Sequence, residues 1–160
     1  YLEKECEREI LEDGGPIEQS SSYHRFVLDL FSWGYWWIEL NEPKSASSMK
    51  QRLLLGESFW DCLQLFDSYP GFGDTDSGSA VAPGLGPLRF RPDLPPPTLD
   101  KDWSVWVFEN TGITLCEHSK SGIMLTFDHG PLGMLPLCNH GHADALSVTL
   151  SYQNSLYFLH

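Results

Sequence analysis

The sequence predicts an α+β protein in which helices come first and an antiparallel sheet follows. Over residues 1–70, apolar side chains recur every three or four positions, as in a helix with one buried face. From residue 102 onward they recur every two positions, as in strands. Residues 71–101 are rich in Gly, Pro, Asp and Ser, which indicates a connecting segment that lines a cleft. The chain therefore divides into a helical part, this connection and a sheet part.

Three helices are predicted in the first part. The first spans residues 2–10 and ends at the Asp-Gly-Gly-Pro turn of residues 13–16. The second runs from about residue 20 to 40, and the third from about 47 to 67 with a serine as its N-cap. The spacing predicts that one stripe of the second helix is buried. Its members are Phe26, Val27, Leu30, Phe31, Gly34, Trp37 and Ile38.

The last part carries five short alternating segments joined by turn residues. They are residues 103–108, 113–115, 123–127, 146–152 and 156–158. Short turns predict antiparallel pairing. The last segment runs to the end of the sequence, so we expect an open sheet edge that the remainder of the chain or a partner covers. The sequence thus resembles the end of a helical domain joined to the beginning of a sheet domain.

Charge restricts the classes of partner. The chain has 22 acidic and 10 basic residues and a net charge of -12, which predicts that it binds neither nucleic acid nor an anionic membrane. No window approaches the roughly 18 continuous apolar residues of a membrane-spanning helix. An anionic ligand would need a local cluster of positive charge.

The four cysteines show no C-x-x-C pair, which argues against a zinc ribbon or a thioredoxin-type motif. Buried thiols are the favoured interpretation. Two disulfides remain an alternative if the protein is exported, and the spacing does not choose a pairing.

The densest group of ionisable side chains lies in residues 139–147. If residues 140–144 are extended, His140, His142 and Asp144 emerge on one face of a sheet. Two imidazoles and a carboxylate in this arrangement indicate a site, either for a metal or for acid–base chemistry.

Three motifs follow one another along the chain. They are Asp13-Gly14-Gly15-x-x-Glu18-Gln19-Ser20-x-x-Tyr23-His24-Arg25, then Gly73-Asp74-Thr75-Asp76-Ser77-Gly78, then Gly112 with Asp128-x-Gly130-Pro131-Leu132-Gly133 and His140-Gly141-His142-Ala143-Asp144-Ala145-Leu146-Ser147. Together and in this order they resemble heparinase II/III-type polysaccharide lyases, particularly members linked to bacterial surface polysaccharides.

The resemblance implies an architecture and an activity. It implies the C-terminal part of an incomplete (α/α) toroid followed by the first strands of an antiparallel β-sandwich, with an acidic polysaccharide bound in the cleft between them. It also implies β-elimination of a uronic-acid-containing polysaccharide, and it favours a bacterial periplasmic or secreted location over a cytoplasmic one.

Residue roles follow from the matched positions. The resemblance makes Tyr23 the catalytic acid, or both base and acid in turn, and makes His140 its partner, as base or as the group that binds the substrate carboxylate. His24 is expected to bind substrate in a cleft made locally positive by His140 and nearby arginines. His142 matches a ligand of a structural zinc. The other zinc ligands of the family lie beyond residue 160, so this chain is expected not to complete the metal site.

Departures from the family pattern bear on activity. The family supplies a carboxylate-neutralising Asn or His from an earlier helix, which would precede Tyr1. We therefore expect the isolated chain to be inactive or severely impaired. The acidic residues Asp74 and Asp76 lack the further ligands of a calcium loop and are interpreted as turn or cleft-lining residues.

Two other functions remain alternatives. A metal-dependent hydrolase of the H-x-H-x-D-H type would need a histidine where the chain has Ala145. A non-catalytic carbohydrate-binding or structural module would use tryptophans as stacking platforms. However, aromatic residues at helical spacing, such as Trp33 and Trp37, more often belong to a core.

Overall fold

The computed structural model describes residues 1–42, 46–65, 71–74, 89–142, 144–153 and 155–159. This described part contains three helices followed by one open antiparallel sheet of six strands, which confirms the α+β class. The helices are α1 (Leu2–Glu9), α2 (Ser21–Asn41) and α3 (Ser47–Gln64). The strands are β1 (Thr98–Asp100), β2 (Trp103–Phe108), β3 (Ile113–His118), β4 (Ile123–Asp128), β5 (Val148–Tyr152) and β6 (Ser155–Leu159).

The α2 helix begins as predicted, whereas the N-cap of α3 and the end of α1 differ from the prediction. Helix α2 begins where the sequence predicts, because the Ser20 side chain accepts a hydrogen bond from the Tyr23 amide at 3.3 Å. The predicted serine cap of α3 is wrong, since Ala46 occupies the N-cap and no side chain caps the helix. Helix α1 ends at Glu9, before the predicted turn, because Ile10 is extended and bridges to Pro16. The predicted end of the third helix lies outside the described residues.

The sheet is a meander in the order β1 to β6, each strand antiparallel to the next. Strand β1 lies in the segment predicted to be a connection. It follows three prolines and lies at an edge of the sheet. Proline has no backbone N–H to donate, and an edge strand tolerates this lack. Strand β6 is the other edge among the described residues, as expected for the last segment. The expectation of an extended 140–144 is wrong, since His140 has φ of +68° and β5 begins only at Val148.

Two apolar clusters hold these elements together, and α3 contributes to both. The first joins the helices and consists of Cys6, Ile10, Leu28, Tyr35, Ala46, Met49 and Leu53. The second joins α3 to the sheet and consists of Phe59, Cys62, Leu63, Phe72, Trp106, Phe108, Ile113 and Leu115. Phe59 is central to the second cluster, with its ring edge-on to Phe108 at 4.7 Å between centroids.

The buried face of α2 differs from the predicted stripe. Val27, Phe31 and Ile38 pack against the helical cluster as expected, but Leu30 and Trp37 are 49% and 65% exposed. The fully buried positions of α2 include polar residues, among them His24 and Ser32. The helix is therefore rotated relative to the prediction, with His24 Nε2 at the Gly56 carbonyl and the Ser32 hydroxyl buried without a hydrogen-bond partner among the described residues.

The cysteines agree with the prediction of thiols rather than disulfides. All four cysteines are free thiols. Burial raises the pKa of Cys6 and of Cys62 to about 12, so both thiols stay protonated and behave as small apolar groups. None of the helices in the described ranges is long and apolar enough to cross a membrane.

Candidate active site

The two predicted catalytic residues lie side by side. Tyr23 is in the first turn of α2, and His140 belongs to the segment between β4 and β5. Their ring centroids are 4.1 Å apart, with an angle of 34° between the ring planes. Both side chains are partly exposed. The fold therefore brings together a phenol and an imidazole from distant parts of the sequence, on a surface that a substrate can reach.

A carboxylate bridges the two histidines of the third motif. Asp74 Oδ2 lies 3.0 Å from His140 Nδ1, and Asp74 Oδ1 lies 2.5 Å from His142 Nε2. The hydrogen bond from His140, followed in strength by that from His142, holds the pKa of Asp74 below its usual range. Asp74 is thus ionised and can only accept, so the nitrogen facing it on each ring carries a hydrogen.

Backbone contacts fix the position of this carboxylate. The Asp74 amide donates to the His140 carbonyl at 2.7 Å, and the Asp74 carbonyl accepts from the hydroxyls of Ser20 and Ser22 at 2.9 and 2.6 Å. The Gly73 amide donates to the Asp144 carboxylate at 2.7 Å. The segment of Gly73 and Asp74 is therefore held between the start of α2 and the histidine loop.

His140 itself has an unusual backbone conformation. Its φ of +68° lies in the left-handed region, which costs a non-glycine residue about 1–2 kcal/mol. The hydrogen bond from the Asp74 amide to the His140 carbonyl helps to hold this conformation. The surrounding contacts therefore place the imidazole beside Tyr23 at some cost to the backbone.

The electrostatic surroundings of the pair are acidic. Burial raises the pKa of Glu18, the charge of Glu9 raises it further, and His140 opposes both effects. Glu18, Asp74 and Asp144 give three carboxylates for two imidazoles. The group is consequently negative when its imidazoles are neutral.

His24, predicted to bind substrate, lies in the core. Its side chain has no solvent exposure, its Nε2 lies 3.1 Å from the Gly56 carbonyl oxygen, and its ring is edge-on to Phe59. Burial lowers the pKa of His24 to about 3, so the ring is neutral and Nε2 donates to Gly56. A substrate cannot contact this side chain, and a binding role does not fit its position.

The arginines expected to make the cleft positive are held by carboxylates. Arg25 forms two hydrogen bonds with the fully buried Glu57, at 2.8 and 2.9 Å, and also pairs with Asp29 at 2.7 Å. Arg89 contacts Glu57 at 3.0 Å and also pairs with Asp61. These groups join α2, α3 and the segment before β1. Their charge is therefore neutralised by carboxylates within the fold.

The zinc site implied by the resemblance stays a prediction. Among the residues that the structure describes, no group of three or more His, Cys, Asp or Glu side chains could hold a metal ion. His142, the expected ligand, is instead hydrogen-bonded to Asp74.

Sequence reasoning did not place Asp74 at the two histidines. It interpreted Asp74 as a turn or cleft-lining residue and expected Asp144 to lie on one face with the two histidines. The structure shows that Asp144 binds the Gly73 amide, while Asp74 contacts both rings. The one available signal was that Asp74 belongs to the second of three ordered motifs.

Comparison with known proteins adds no relative. Neither the family models, nor the curated proteins, nor the solved structures include one that matches this chain. The heparinase II/III resemblance therefore remains a prediction that depends on the three motifs.

Proposed function

We propose that this protein acts as a polysaccharide lyase, which cleaves a uronic-acid-containing polysaccharide by β-elimination. The observation that supports the proposal is the contact between Tyr23 and His140, with ring centroids 4.1 Å apart. The reaction needs a base for the C5 proton and an acid for the departing O4 oxygen. A phenol and an imidazole in contact on an accessible surface supply both.

The hydrogen bonds favour one division of the two roles. His140 donates from Nδ1 to Asp74, so Nε2 of the neutral ring has a lone pair that can take the C5 proton. The C5–H electrons form the C4=C5 double bond, and the C4–O4 electrons leave with O4. Tyr23 gives its hydroxyl proton to that oxygen. Proton return from the His140 imidazolium to the Tyr23 phenolate then restores both residues.

The acidic surroundings limit the substrate class. Glu18, Asp74 and Asp144 repel a densely charged chain. Since Arg25 and Arg89 are neutralised inside the fold, a polymer with isolated uronates fits better than a highly charged one.

We also infer that the helices form part of a toroid, that the sheet begins a β-sandwich, and that the β6 edge is covered by the rest of the chain or a partner.

The test uses the full-length protein and a panel of uronate polymers. The unsaturated product absorbs in the ultraviolet, so its appearance measures elimination directly. We expect Tyr23→Phe and His140→Ala each to lower turnover about 10²- to 10⁴-fold, because each removes one proton-transfer group.

His129→Ala is the matched control, since His129 is an exposed histidine on the loop after β4. Near-normal turnover in either site variant would overturn the assignment, and cleavage without absorbance would indicate a hydrolase.

A carbohydrate-binding module without catalysis is the second candidate, and one observation favours it. Trp33, Trp36 and Trp37 of α2 are 47%, 43% and 65% exposed, although helical spacing suggested a core position for Trp33 and Trp37. Exposed indoles can stack on sugar rings. In this case oligosaccharides would bind without an absorbance change, and Trp37→Ala would weaken binding while Tyr23→Phe would not.

A further inference from the structure

We propose that Asp74 is a positioning residue that holds His140 in the tautomer with its hydrogen on Nδ1 and its lone pair on Nε2. The inference rests on the proposed function for its consequence in catalysis, but the tautomer itself can be observed separately. Neutral imidazole can place its hydrogen on either ring nitrogen, and only one choice leaves Nε2 able to act as a base.

The geometry restrains the carboxylate as well as the ring. One Asp74 oxygen faces His140 Nδ1 at 3.0 Å, and the other faces His142 Nε2 at 2.5 Å. Because both oxygens are engaged by different rings, rotation of the carboxylate would break two hydrogen bonds. His142 is therefore the second anchor of Asp74.

The main chain adds a further restraint. The Asp74 amide donates to the carbonyl of His140 itself, so a backbone and a side-chain hydrogen bond join the same two residues. Ser20 and Ser22, on the same turn as Tyr23, both donate to the Asp74 carbonyl. Asp74 thus connects His140, which takes the proton, to the turn of α2 that carries Tyr23.

A purely structural role for Asp74 predicts a different outcome. In that case Asp74→Asn would lower stability without moving the hydrogen on His140. A positioning role predicts that the hydrogen moves to Nε2, because the asparagine amide can donate to Nδ1. In serine proteases the equivalent change at the orienting carboxylate lowers kcat about 10⁴-fold, for this reason.

The experiment is long-range ¹H–¹⁵N NMR on the ¹⁵N-labelled full-length protein, with the His140 signals assigned by their loss in His140→Gln. We expect the wild-type ring to carry its hydrogen on Nδ1 and Asp74→Asn to carry it on Nε2. The matched control is Asp102→Asn, since Asp102 has the same 40% side-chain exposure as Asp74 and pairs with Lys120 at 2.9 Å, away from the site. In the control the His140 signals should not change.

Turnover on a cleaved uronate polymer gives the second readout. We expect Asp74→Asn to lower kcat at least about 100-fold with KM unchanged, and Asp102→Asn to match the wild type. A wild-type His140 with its hydrogen on Nε2 overturns the proposal even if Asp74→Asn does not fold, as does a folded variant in which neither the tautomer nor kcat changes. The expected tautomers in a protein that cleaves no uronate polymer would support the positioning contact and refute the lyase function instead.

Discussion

The main chains of Gly73 and His140 are in direct contact. A Cβ atom at position 73 would lie 2.6 Å from the His140 carbonyl oxygen and 2.2 Å from that of Gln19. Gly73 also has φ of +67°, which side chains rarely adopt. The position of the histidine loop against the start of α2 therefore depends on a residue without a side chain.

Gly73→Ala should accordingly lower the stability of the protein by more than the backbone strain at its φ alone. Gly122 is a matched control, since its φ is +69° and nothing lies within 4 Å of an added Cβ. We expect Gly122→Ala to cost about 1 kcal/mol from backbone strain, and Gly73→Ala to cost about 2–4 kcal/mol because two carbonyls must also move. Urea unfolding of both variants measures the difference. Equal losses would show that the contact has no energetic consequence.

The buried histidine predicts a pH dependence of stability. The pKa of His24 is about 3 in the folded protein and 6.5 ordinarily, so the unfolded chain binds a proton first as the pH falls. The stabilisation from neutral His24 is complete above pH 6.5 and is lost between pH 6.5 and 3, at up to about 1.4 kcal/mol per pH unit. His24→Gln should flatten the unfolding free energy across this range, whereas His129→Gln, at an exposed position, should not. The same slope in His24→Gln as in the wild type would contradict this origin.

The buried carboxylate Glu57 should be more important to stability than any surface ion pair. It has no solvent exposure and contacts both Arg25 and Arg89. Glu57→Gln leaves two guanidinium groups without their shared partner, so we expect a loss of about 3–5 kcal/mol. Glu5→Gln, which removes a partner of the exposed Arg8, should cost much less, because solvent screens this pair. A comparable midpoint for both variants in chemical unfolding would refute the difference.

Asp13 joins the first turn of the chain to the sheet. Its carboxylate accepts hydrogen bonds from the Thr111 amide at 2.8 Å and from the Thr111 hydroxyl at 2.7 Å. Asp13→Ala removes both bonds, and with them a hydrogen bond from the Gly15 amide at 3.2 Å, and should destabilise by about 2–3 kcal/mol, while Thr111→Val removes only one. In a double-mutant cycle we expect a coupling energy of about 1 kcal/mol. Additive losses would show that the hydroxyl bond contributes nothing.

The sequence predicted the pairing of Tyr23 and His140 through ordered motifs, and the structure places them together. It did not predict the role of Asp74, because an Asp beside glycines is usually turn chemistry. It assigned His24 to the substrate through the motif that His24 shares with Tyr23. Consecutive helix residues point in different directions, and this rotation takes His24 into the core.

The order of elements was determined by the sequence alone. Periodicities of three to four and of two are local properties, and they survive in the three helices and in most of the strands. Which polar groups meet was decided only by the tertiary structure. The bridge from Asp74 to His140 and His142, and the ion pairs of Glu57, join residues far apart in the chain. No local pattern encodes such partners, because their energies depend on distances and burial that exist only after the helices pack against the sheet.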